Sequence, residues 1–120
     1  GNTGEALLIL LEKRLDNVVY KLGFAESRPM ARQLVSHRHV LVNGQKLNIP
    51  SYEVKLGDVI SLTAKILENP NVKKVVNLEE YEVPTWLERK ASVGNIKTDP
   101  KRSDITEIVS EQDIVEFYSR

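Results

Sequence analysis

Residues 27–44 read SRPMARQLVSHRHVLVNG, a stretch that gathers Arg28, Arg32, His37, Arg38 and His39 within twelve positions. Two imidazoles two residues apart share one face of an extended strand, as metal ligands do. Zinc requires at least one further ligand, and the chain has neither a cysteine nor a third histidine, so no metal site is assigned. His37 and His39 read instead as polar residues where a helix hands over to a strand. The guanidinium groups suit a different ligand. Arg28 and Arg32 stand one helical turn apart, arginine forks match phosphate oxygens bidentately, and a helix start at Ser27 adds unpaired N–H groups and partial positive charge.

Covalent catalysis finds no support. No Gly-x-Ser-x-Gly elbow occurs, and the six glycines form neither a phosphate loop nor a dinucleotide fingerprint. Paired carboxylates such as Glu79-Glu80 read as solvated surface. No catalytic residue, cofactor or small-molecule substrate is therefore expected. No apolar run approaches the roughly 20 residues that cross a bilayer, so no membrane partner is expected either.

The 120-residue chain balances 17 Lys/Arg against 17 Asp/Glu, which at first argues against a polyanionic partner. The balance hides an asymmetry: residues 1–65 carry nine basic and six acidic side chains, residues 66–120 eight and eleven. The arginine cluster lies in the basic half.

Elements that position these side chains follow from periodicity. Apolar residues at 7, 8, 11, 15, 18, 19 and 22 mark one helical face, and Asp16, a favoured N-cap, divides it into two short helices, the second ending at Gly23. Ser27 caps a further helix to about Ser36, with Pro29 in its first turn and Ala31, Leu34 and Val35 on its apolar side. Asn43-Gly44 supplies the two positive φ angles of a type I′ turn, making 39–49 a hairpin. Its register pairs Val42 with Gln45, Leu41 with Lys46, Val40 with Leu47 and His39 with Asn48. Val40, Val42, Leu47 and Ile49 then take the core face, and His39, Leu41, Lys46 and Asn48 the other. A turn at Leu56-Gly57-Asp58 precedes a strand over 59–63. Residues 15–63 thus form an α+β unit, two helices packed on a small antiparallel sheet.

Past residue 64 the spacing predicts a helix over 72–78 after Asn69-Pro70, an irregular anchor with Trp86 buried, a strand at 93–97, a loop at 99–103 and a terminal helix starting near Ser110. Arg28, Arg32, Arg38 and His39, with Lys46 and Asn48 of the outward sheet face, compose a surface suited to an RNA backbone. Spacing alone leaves a second reading open, an ordinary solvated helix whose Arg28 or Arg32 pairs with Glu26.

The run Arg14-Leu15-Asp16-Asn17-Val18-Val19-Tyr20-Lys21-Leu22-Gly23-Phe24-Ala25, then Ser27-Arg28, Ala31-Arg32-Gln33-Leu34-Val35, Val42-Asn43-Gly44, Asn48-Ile49-Pro50-Ser51-Tyr52 and Gly57-Asp58-Val59-Ile60, resembles the bacterial-type small-subunit ribosomal protein four family. The Leu-Asp, Ser-Arg and Val-Asn-Gly elements are shared by the αL RNA-binding modules of many RNA enzymes, whereas Asn-Ile-Pro-Ser-Tyr is narrower. The opening Gly1-Asn2-Thr3-Gly4-Glu5 and closing Ile114-Val115-Glu116-Phe117-Tyr118-Ser119-Arg120 are similar to that family as well.

The resemblance implies a structural constituent of the small ribosomal subunit that binds its ribosomal RNA, supports early assembly, and lies near where mRNA enters, beside ribosomal protein five. Its location would be a ribosome, in the cytoplasm or an organelle. The expected phosphate contacts are Arg14, Lys21, Arg28, Arg32, Arg38, His39 and Lys46. The resemblance also implies that the chain is part of a longer one: residues 1–14 as the remnant of an upstream helical domain, 15–63 as the αL module, and 64–120 as an extension ending in a helix. Leu7, Leu8, Leu11, Ile114, Phe117 and Tyr118 would then lack some packing partners. Two departures stand out. His37-Arg38-His39 replaces the family's His-Gly-His, and residues 64–82 fit poorly, so no contact is carried over to them. The alternatives are an accessory module of an RNA-modifying enzyme or of a tRNA synthetase, and a ribosome-associated stress protein.

Overall fold

The computed structural model describes residues 3–105. Helices α1 (Thr3–Glu12), α2 (Leu15–Lys21) and α3 (Arg28–Ser36) precede strands β1 (Val40–Val42), β2 (Gln45–Lys46) and β3 (Val59–Leu62). Short helices α4 (Ala64–Leu67) and α5 (Pro70–Val76) follow, then strands β4 (Leu87–Lys90) and β5 (Val93–Ile96) and a 3-10 turn at Arg102–Asp104. The class is α+β, as the pattern indicates. All strand pairs are antiparallel, in the order β2-β1-β3-β5-β4.

Two short helices do replace one long one, but Asp16 is not the cap. α2 begins at Leu15 with Arg14 in the N-cap position and no side-chain cap. Its first N–H groups are satisfied from elsewhere: Leu15 donates to the Tyr52 carbonyl at 2.8 Å and Asp16 to that of Pro50 at 3.1 Å. The Asn48–Tyr52 segment therefore works as an external cap for α2. This arrangement also explains a miss. β2 stops at Lys46, only Leu47 N–H continues the ladder to Val40, and the chain turns away. His39 and Asn48 do not pair in the ladder, and Ile49, expected in the core, is 51% exposed.

The remaining hairpin register holds. Leu41 faces Lys46 and Val42 faces Gln45, with φ of 54° at Asn43 and 83° at Gly44. Asn43 also reaches back to the next turn. Its side chain donates to Asp58 at 3.0 Å and accepts from Val59 N–H at 2.9 Å, while Tyr52 Oη donates to Asp58 at 2.8 Å. Burial opposes charge on Asp58, yet these donors and the Lys55 amide outweigh it and hold the carboxyl below its ordinary pKa. Burial and the Asp58 carboxylate together push the Tyr52 hydroxyl up to about 12.

Apolar side chains from Leu15 to Ile96 form one cluster, with Trp86, Phe24, Leu15, Leu22 and Ile60 fully enclosed. Trp86 is buried as expected and donates through Nε1 to the buried carboxylate of Glu12 at 3.1 Å, tying α1 to the segment just before β4. At Gly94 the sheet meets α2 so closely that a Cβ would lie 2.6 Å from the Leu22 methyls. Arg89 is held inside by the carbonyls of Leu22 (2.9 Å) and Val76 (2.5 Å), the C-terminal ends of α2 and α5, and lies over the rings of Tyr81 and Phe24.

Past residue 63 the elements are mixed. β5 lies where the sequence places a strand, while α5 starts two residues earlier than expected, capped by Asn69 onto the amides of Asn71 and Val72. Periodicity marks neither β4 nor α4 nor the 3-10 turn. Leu8 is buried and Leu7 and Leu11 are half-buried; the expected terminal helix and Ile114, Phe117 and Tyr118 lie outside the described residues.

Candidate nucleic-acid interface

The seven expected contacts fall into distinct settings. At the junction of α2 and α3, Arg14 makes a bidentate pair with Asp16, Nε at 3.1 Å and Nη2 at 3.0 Å. Asn17 follows, buried, with its amide donating to the Glu12 carbonyl at 2.7 Å. Its carbonyl oxygen accepts from Arg28 Nε and Nη2 at 3.1 and 3.0 Å, and the Arg28 guanidinium lies 4.8 Å from the centre of the Tyr20 ring. Asn17 is a neutral acceptor, so this contact fixes the Arg28 fork without cancelling its charge. The Asn17 contact thus orients the arginine at the start of α3. Ser27 starts that helix as expected, its hydroxyl accepting from Met30 N–H at 3.2 Å.

One turn on, Arg32 is exposed, and its side chain makes no hydrogen bond or ion pair among the described residues. The Arg32–Glu26 pair that spacing left open is therefore not formed.

α3 ends in a Schellman motif: Arg38 N–H donates to Val35 at 3.0 Å and His39 N–H to Leu34 at 2.9 Å. Arg38 fills the left-handed position with φ of 66°, where glycine is the usual occupant. Holding a residue that carries a Cβ there costs about 1 kcal/mol. The arginine side chain is exposed to solvent at the exit of the helix.

His39 opens the hairpin, its carbonyl accepting from Thr63 N–H at 3.0 Å, and its ring sits edge-on to His37 with centroids 6.4 Å apart. Burial lowers its pKa, and the positive fields of His37, Lys65 and Lys46 lower it further. At neutral pH His39 is therefore an uncharged imidazole that offers a ring N–H rather than a cation. Lys46, on β2, and Lys65, on α4, both contribute to that lowering. Sequence reasoning missed Lys65 because residues 64–82 fit the resemblance poorly; the tight turn from β3 through Thr63, which caps α4 by accepting from Ile66 N–H at 3.3 Å, brings it beside His39.

Lys21 is placed apart. It lines a cleft of about 570 Å³ whose wall also carries Glu26, Glu80, Glu82 and Asp104, an acidic setting. Among the described residues no group of three or more metal-ligating side chains occurs, and no helix is long and apolar enough to cross a membrane.

The arrangement offers oriented guanidinium at the start of α3, exposed guanidinium along it, and a set of lysines around a neutral imidazole at its exit. Such groups suit a polyanion. Comparison with protein families agrees with that chemistry: residues 13–60, from just after α1 into β3, match the model of the S4 domain, an RNA-binding module.

Proposed function

We propose that this protein is a structural constituent of the small ribosomal subunit, holding ribosomal RNA through its S4 domain and acting by binding alone, without a catalytic step. The observation that carries the reading is the exit of α3, where exposed Arg38 holds the left-handed turn before His39 and Lys46 and Lys65 lie near enough to lower the His39 pKa, within the matched domain or directly beside it. Support for the ribosomal part comes from the Asn48–Tyr52 segment and the chain ends that resemble the small-subunit protein four family. On that reading the partners are small-subunit ribosomal RNA and ribosomal protein five, near where mRNA enters, and the location is the ribosome.

A specific observation favours a second reading. The family match stops at residue 60, so it covers only the module that RNA-modifying enzymes also carry. Crosslinking the protein to RNA and sequencing the bound strand separates the two. The proposal expects small-subunit ribosomal RNA at one junction, with the protein present in every small subunit on polysome fractionation. Crosslinks to transfer RNA, or substoichiometric association, would overturn it.

A further inference from the structure

Between α3 and α5 runs a groove of about 690 Å³. Its floor is apolar: Met30 and Leu34 from α3, Val72 and Val75 from α5. His37 and His39 stand in its wall, and Lys74 adds a cation, against Glu26 as the one acid lining it among the described residues. The side-chain amides of Gln33 and Asn71 also line the groove, and neither makes a hydrogen bond among the described residues.

An unpaired RNA base has matching needs. Its flat faces want apolar or aromatic contact, its edge wants neutral donors and acceptors in pairs, and its phosphate wants positive charge nearby. Side-chain amides are both donor and acceptor, and the groove has the size of ordinary small-ligand sites, about 300–1,000 Å³. His39 supplies the connection. It stands in the groove wall and feels the positive charge of Lys46 and Lys65. A strand whose phosphates lie on that charge can therefore turn one nucleotide inward.

We infer that the groove between α3 and α5 receives a single unstacked nucleotide of the bound RNA, read by Gln33 and Asn71 over the Met30–Val75 floor. This rests on the RNA-binding reading and adds a site to it.

The test compares two synthetic RNA stems, one fully paired and one carrying a single bulged 2-aminopurine, with the full chain and with two variants that remove the reading amides without adding a stacking surface, Gln33→Leu and Asn71→Leu. Gln33 and Asn71 are both exposed, so neither substitution disturbs the core. The expected result is about tenfold tighter binding of the bulged stem by the unaltered chain, with a change in 2-aminopurine emission, and loss of that preference in the variants at an unchanged salt slope. Equal affinity for both stems, as a groove built for a protein segment would give, overturns the inference while leaving phosphate binding intact. A preference that survives in both variants overturns it as well. Absence of any salt-dependent binding to either stem brings down the RNA-binding reading and this site together.

Discussion

The His39 amide donates to the Leu34 carbonyl across 2.9 Å, a bond that forms only because Arg38 between them adopts a left-handed backbone with φ of 66°. Stability and ligand binding pull in opposite directions here. Glycine would hold the same turn without the steric cost, but would remove a cation from the exit of α3.

Arg38→Gly is expected to raise the free energy of unfolding by about 0.5–1 kcal/mol, since relief of the left-handed strain exceeds the added entropy of the unfolded chain. The same variant should bind RNA more weakly, with the salt slope reduced by about one unit. Urea titration and a salt series on one preparation measure both. A variant less stable than the parent would show that Arg38 contributes packing rather than strain.

Trp86→Phe keeps most of the buried ring but removes the Nε1–H that serves Glu12 at 3.1 Å. A buried carboxylate deprived of a donor costs about 1–3 kcal/mol. Thermal unfolding should therefore shift down markedly for a substitution between two aromatic residues. Introducing Glu12→Gln into both the parent and the Trp86→Phe variant should narrow the stability gap between them, because a neutral amide loses less than a carboxylate when its donor is removed.

Asp58 and Tyr52 set the pH limits of the hairpin. The folded state holds Asp58 below its ordinary pKa, so its contribution is present at neutral pH and is lost as acid protonates it through that lowered value. Tyr52 is shifted the other way, to about 12. Its contribution is complete below the usual tyrosine pKa of about 10 and disappears as pH rises from there toward the folded value. Urea midpoints recorded across pH should fall at both ends, and Tyr52→Phe should flatten the alkaline fall while leaving a reduced acid one.

Much of the first half was legible because it is written in local chemistry. Ser27, Pro29 and Asn43-Gly44 each act on their own neighbours, so cap, helix and turn follow from a few adjacent residues. Trp86 announced its own burial by size. What stayed hidden depends on distant partners. Nothing in Leu87-Glu88-Arg89-Lys90 alternates, and β4 exists because β5 pairs with it and Arg89 finds the carbonyls of Leu22 and Val76. Asp16 resembles a cap until the backbone of Pro50 and Tyr52 takes that role. Asn17, eleven positions before Arg28, orients a guanidinium through a contact that no periodicity marks. Lys65 joined the charged exit only through the turn after β3.

The most direct measurement is the salt dependence of binding to small-subunit ribosomal RNA, comparing the unaltered chain with Arg28→Ala/Arg32→Ala. If α3 lays its guanidinium groups on phosphates, the double variant binds more weakly and its logarithmic salt slope falls by about two units. A slope that stays the same, with folding preserved, would contradict the account.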